Sequence, residues 1–269
     1  MSRSNLKNLI ILILVLVNGF LLALVLPSRL SDLRQQQQAR ESLSLLYGQA
    51  GVTLSAADIP DTKALYTADL PMEFDGISAA AAILGDRMLS TGTELSSSLG
   101  IGTLSEDGTL SLTVTDAAPA ADTEVHTRQL LTDMGVSFQT LRRSTPYPNA
   151  EVYVASFAVA RMPLFSHSLT FRYESGSLKE ISGTLPSRAE PRRTGSAVCV
   201  SAEDALVAFL SRRLEVGWMG SSILSVTQGY CPRWVPTQNL YRLQPAWCIR
   251  TNSGDYLVDG LTCSVTILE

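Results

Sequence analysis

The stretches FRYESGSLKEISG (residues 171–183) and CIRTNSGDYLVDG (residues 248–260) decide how this chain is read. Laid side by side, Arg172, Ser175 and Gly176 fall on Arg250, Ser253 and Gly254 at a constant offset of 78. Each stretch runs through a Ser-Gly dipeptide into a second run of strand-forming residues. Glycine takes positive φ without steric cost, so each dipeptide predicts the turn of a β-hairpin.

Outward from the two hairpins, the preceding signals recur in the same order. Before the first, a helix begins at Asp122 or Thr123, runs to Met134 and stops at Gly135, and strands follow near 151–160, 166–174 and 178–185. Before the second, Ser201-Ala202-Glu203-Asp204 has the form of a helix N-cap with acidic residues in the first turn. Leu206, Phe209, Leu210 and Leu214 supply the apolar stripe of that helix, and strands follow near 223–235, 240–251, 256–259 and 264–268. The pattern predicts an α+β fold: an N-terminal transmembrane helix followed by repeated helix-plus-antiparallel-meander units. In such units the helix packs on one sheet face and leaves the other face, or an edge, for partners.

Upstream, residues 70–114 read as short strands. Glu106-Asp107-Gly108 is a hairpin signal, followed by the alternating Leu110, Leu112 and Val114. Ala117 to Ala121 is a linker, and the polar, Pro/Arg-rich run from Pro186 to Gly195 marks an internal boundary. Residues 28–47 read as a helix closed by Gly48 and Gly51, with Leu30, Leu33, Leu43, Leu46 and Tyr47 partly at helical spacing.

The N-terminus carries LIILILVLVNGFLLALVL (9–26), eighteen residues without a charge. At 1.5 Å per residue that is about 27 Å, close to the hydrocarbon thickness of a bilayer. No small-x-small cleavage site follows, so an uncleaved anchor is favoured over a signal peptide. Arg3 and Lys7 before it are nearly balanced by Arg29, Arg34 and Arg40 after it; the short basic tail and long polar remainder favour the N-terminus inside. The expected organisation is a cytoplasmic tail (1–8), a transmembrane helix (9–26), a juxtamembrane helix (27–53), a first α+β region (54–186) and a second α+β repeat (187–269). Within the anchor, Asn18 followed by Gly19 is a candidate helix–helix contact: the amide seeks a partner in hydrocarbon, and the small residue permits close approach.

Composition narrows the function classes. The 269 residues are 45% apolar and 17% charged, with net charge −4 and pI near 5.3. Nucleic-acid binding needs a clustered basic surface. The doublets Arg142-Arg143, Arg192-Arg193 and Arg212-Arg213 lie far apart and read as solvated faces or loops. His126 and His167 have no nucleophile placed beside them, and neither a G-x-S-x-G elbow nor a phosphate-binding glycine loop is present. Asp255 and Asp259 flank a short strand, a weak calcium signal.

Cys199, Cys231, Cys248 and Cys263 form no C-x-x-C pair, so neither a zinc site nor any other metal or cofactor is expected. Four cysteines allow three pairings. Alternation puts Leu224, Val226, Tyr230 and Trp234 on one core face and Tyr241, Leu243, Trp247 and Ile249 on another. Cys231 and Cys248 then share the opposite face with Arg233, Arg242 and Arg250, which makes Cys231–Cys248 the candidate disulfide.

Several motifs, taken together and in order, resemble the YycI/YycH family of membrane-anchored regulators. They are LKNLIILILVLVNGFLL (6–22), RMPLFSHSLTFRYESGSLKEISG (161–183), Ser201 to Leu206, Gly229-Tyr230, LQPAWCI (243–249) and the terminal YLVDGLTCSV, which departs from the family in having Gly260 and Cys263. The resemblance implies a non-enzymatic protein with one helix in the cell membrane of a Gram-positive-type bacterium and PepSY-like domains outside. It would bind and modulate the sensor histidine kinase of a two-component system that controls the cell wall, together with a YycH-type partner. The alternative is a PepSY-like module that restrains an envelope peptidase or binds an envelope ligand.

Overall fold

A computed structural model describes residues 35–115 and 117–268. In chain order the elements are α1 (35–49), β1 (Tyr66–Pro71), α2 (Gly76–Leu84), β2 (Leu89–Thr91), β3 (Glu94–Ser97), β4 (Gly100–Leu104) and β5 (Thr109–Val114). Then come α3 (Thr123–Asp133), β6 (Thr140–Tyr147), β7 (Ala150–Val159), β8 (Met162–Glu174), β9 (Ser177–Thr184) and β10 (Arg192–Val198). The chain continues through α4 (Ala202–Arg212), β11 (Ile223–Val235), β12 (Leu240–Thr251), β13 (Gly254–Asp259) and β14 (Val265–Leu268).

The pairing of these strands corrects the expected architecture. All fourteen hydrogen-bond into one mixed sheet rather than into separate helix-plus-meander units. Its main path is β10-β1-β12-β11-β8-β9-β5-β4-β3-β2; β13 and β14 extend β12, and β7 and β6 extend β8. Local alternation identifies strands, but it does not say which strand borders which. Here β1 inserts beside β12, β5 extends β9, and β11 joins β8 in parallel at Tyr230 opposite Leu164. No helix among the described residues is long and apolar enough to cross a membrane. Residues 9–26, with Asn18 and Gly19, lie outside the described residues.

The helices gather on one face of the sheet. Asp122 caps α3 by accepting from the N–H groups of Glu124 and Val125, and Gly135 ends it at φ 67°. Thr127 Oγ1 donates to Tyr173 Oη at 2.9 Å, which seats α3 on β8. On α4, Phe209 packs between Trp218 and Tyr256 at centroid distances of 5.0 and 5.2 Å. Tyr47 of α1 donates to the Leu206 carbonyl at 2.8 Å. Leu206 and Phe209 are buried as expected, but Leu214 is 73% exposed because α4 ends before it.

Among the elements that escaped the pattern are α2, β6 and β10, the last lying largely in the polar run read as a boundary. Helix α2 lies within the stretch read as strands. Its GISAAAAIL sequence is apolar or small nearly throughout, so it shows no periodic contrast, although Asp75 caps it through the Ser78 N–H and alanine is the best helix former. Strand β6 is an edge strand, exposed on both faces from Thr140 to Pro146 apart from a half-buried Leu141, and so has no alternation to detect.

Candidate functional site

The face of the sheet away from the helices folds into a cleft where the two halves meet. Alternation along β11 and β12 buries Val226, Tyr230, Tyr241, Leu243, Trp247 and Ile249 and half-buries Trp234. Leu224 departs from the expected core face and is exposed, because a bulge between Ile223 and Ser225 shifts the alternation and buries Ile223 instead. The intervening residues Ser225, Thr227, Cys248 and Arg250 turn to the cleft, where Asp255 and Leu268 of the outer strands join them. The opposite wall is the matching face of β6, β7 and β8, with Arg142, Val154, Ser156 and Ser168. The cleft holds about 630 Å³, within the range of roughly 300–1,000 Å³ typical of ligand sites.

Two backbone features shape its floor. Gly229 lies where β11 meets β8: a Cβ there would stand 2.5 Å from the Pro163 carbonyl oxygen and 2.7 Å from the Phe165 ring, so only glycine permits the approach. Ser166 has φ 63°, a left-handed conformation that costs a non-glycine residue about 1–2 kcal/mol. This twist lets Leu164 and His167 both face the core while Phe165 turns the other way, onto a small apolar cluster with Ala246, Cys248 and Leu257. Strained residues of this kind gather at binding sites, where the surrounding packing holds them.

The charged groups lining the cleft are Arg142, Arg250 and Asp255. Arg250 and Asp255 are directly opposite on adjacent strands and pair at 3.2 Å. Arg142, exposed at the rim, has no ion pair among the described residues, so the lining carries a net positive charge. Ser156, Ser168, Ser225 and Thr227 add hydroxyls to the lining.

Cys248 and the two histidines are shifted toward their uncharged forms. The Cys248 thiol is pushed up to about 11, chiefly by burial and secondly by Asp255, with Arg250 and Arg142 acting in the opposite direction. It is therefore a thiol at neutral pH rather than a nucleophilic thiolate. His167 reaches the wall, but its ring packs edge-on against Tyr241 at 4.6 Å, on the core side. Burial lowers its pKa to about 4, and neither ring nitrogen has a hydrogen-bond partner among the described residues. His126 Nδ1 lies 3.0 Å from Tyr173 Oη, and burial lowers its pKa as well.

The structure places Cys231 and Cys248 on the same side of the sheet but does not bring them together. Cys231 is opposite Gln244 and Cys248 is opposite Thr227, four positions apart along β12, and all four cysteines are free. Asp255 is taken up by Arg250, and Asp259 accepts from the backbone of Leu261 and Thr262. Sequence reasoning passed over Arg142 and Phe165. The first belongs to an arginine doublet read as a solvated face; the second is one apolar residue in an apolar strand.

No protein-family model matches the chain, and no curated protein matches it, so the resemblance described above rests on its motifs alone. Among solved structures, an uncharacterized protein from Eubacterium rectale is similar over 78% of this chain and 87% of its own, at 8% identity and TM-score 0.46. The YpeB C-terminal domain of Bacillus megaterium is similar over 74% of this chain and 99% of its own, at 11% identity and TM-score 0.38.

Proposed function

We propose that this chain is a non-catalytic binding protein whose cleft holds a polypeptide segment of a partner and thereby biases the state of that partner. The observation that supports this reading is the cleft itself. An apolar floor around Phe165, hydroxyl walls and two arginines suit recognition, while the thiol of Cys248 and the neutral, inward-turned His167 suit no acid–base or nucleophilic step. A protein without chemistry of its own acts by binding one state of its target better than another. The partner to test first is the sensor histidine kinase named by the sequence resemblance; an envelope peptidase is the alternative.

A photo-crosslinking amino acid at Thr227, which is exposed and faces the cleft, should yield an adduct with a polypeptide in intact cells. The same probe at Val207, half exposed on α4, should not. Mass spectrometry of the adduct then distinguishes kinase from peptidase. Equal adducts from both positions, or none from Thr227, would remove the cleft as the binding site.

A further inference from the structure

The outer walls of the cleft end in two strand edges, β6 on one side and β14 on the other, that are unpaired among the described residues. Exposed edges invite pairing with another chain, and proteins commonly guard them with charge, proline or bulges. Strand β6 carries Arg142-Arg143, Pro146 and a register shift between Ser144 and Tyr147. The outer strand β10 carries Arg192-Arg193 and Gly195. Strand β14 reads Val-Thr-Ile-Leu, with no charge, proline or glycine, and Ile267 is 58% exposed.

The ladder fixes which groups β14 offers. The Asp259 N–H donates to the Ser264 carbonyl at 2.9 Å, closing the β13–β14 hairpin. Hydrogen-bonded and non-hydrogen-bonded pairs alternate along an antiparallel ladder. Thr266 and Leu268 therefore bond to Leu257 and Asp255, while Val265 and Ile267 point their N–H and C=O groups outward. On the cleft side of the same strand, Leu268 stands with Asp255, across from Arg142.

We propose that the free edge of β14 accepts an extended acidic peptide segment as an added strand, with its backbone on Val265 and Ile267 and a carboxylate side chain reaching into the cleft toward Arg142. This rests on the reading of the cleft as a polypeptide site and specifies how the segment is held. Backbone pairing supplies sequence-independent affinity, and the alternate side chains that face the cleft supply selection. An acidic side chain at the cleft-facing positions suits the net positive lining, and the aliphatic residues between point to the opposite face of the added strand.

The test uses the purified full chain in mild detergent and a fluorescein-labelled octapeptide of alternating valine and glutamate, read by fluorescence anisotropy. Saturable binding is expected. Replacing glutamate by lysine, or N-methylating alternate valines so that the backbone cannot donate, should weaken binding about tenfold or more. On the protein side, Ile267→Pro removes one outward N–H without touching the β13 ladder, and Arg142→Glu reverses the rim charge; each should weaken the acidic peptide to a similar extent. The methylated peptide covers the case in which the proline variant does not fold. Equal binding of the parent and methylated peptides, equal binding of the lysine peptide, or no binding up to about 1 mM overturns the proposal. A cellular adduct at Thr227 that persists in Ile267→Pro would leave the cleft as a binding site and discard strand addition, whereas loss of both would count against the two readings together.

Discussion

Acidification should weaken this fold through His167, and the size of the effect follows from its surroundings. The side chain is buried, both ring nitrogens lack partners among the described residues, and burial lowers its pKa to about 4. In the unfolded chain histidine titrates near 6.5. Above pH 6.5 both states are neutral and the group is silent. As the pH falls from 6.5 toward 4 the unfolded chain takes up the proton first, so stability declines by about 1.4 kcal/mol per pH unit. Between pH 6.5 and 5 the loss comes to about 2 kcal/mol, large against a typical total of roughly 5–15. The assay is urea denaturation at pH 7.5, 6.0 and 5.0, comparing wild type with His167→Phe. Phenylalanine keeps an aromatic edge against Tyr241 and removes the titrating group. The variant should lose most of the pH dependence, while His126→Gln, at the chain's other histidine, should keep it. An unchanged slope in His167→Phe would refute the reasoning, because it would mean that the ring is hydrated in the folded state.

Three further outcomes follow from packing and chemistry. Phe209→Ala, which empties the space between Trp218 and Tyr256, should cost about 3–5 kcal/mol by denaturant titration. Gly229→Val drives side-chain atoms against Pro163 and Phe165 and should cost at least about 1–3 kcal/mol, while Thr227→Val on the same face stays within about 0.5 kcal/mol. Under denaturing, non-reducing conditions all four thiols should react with Ellman's reagent; a protected pair would contradict the free cysteines of the structure.

The legible parts of the fold were those governed by local chemistry. The capped helices after Asp122 and Ser201, the Asp107-Gly108 turn and the long strands β11 and β12 all appear where alternation, N-caps and positive-φ glycines put them. The two hairpins are present, but they turn one position apart. The first turns at Ser175-Gly176, between the paired Glu174 and Ser177; the second turns at Asn252-Ser253, between Thr251 and Gly254. The similarity of sequence therefore does not carry over into an identical register. Pairing partners were not legible, because β1, β5 and β10 find theirs far along the chain and nothing in their own residues names them. The cleft was legible only in fragments. Arg250 and Cys248 fell on the correct face of β12, but Arg142 and Ser168 belong to the other half of the chain and meet them only through the β8–β11 contact.

That contact explains why a cleft exists at all. Strands β8 and β12 each exchange partners partway along one edge. The outer edge of β12 pairs with β1 through Leu243 and with β13 from Ala246 onward. At the exchange stands Pro245, which has no N–H to offer a ladder and whose carbonyl accepts from the Gly260 N–H at 2.7 Å. The edge of β8 meets β11 at Leu164 and β9 from Leu169 onward, with the strained Ser166 between. A sheet interrupted at two such points is free to bend there, and the helix-free faces of the two halves come to line one concavity. The angle between its walls is then governed by how closely β11 approaches β8, that is, by Gly229 under the Phe165 ring. Substitutions at this hinge should alter binding in the cleft even though neither arginine is touched, whereas substitutions under α3 or α4 should change stability and leave the cleft alone.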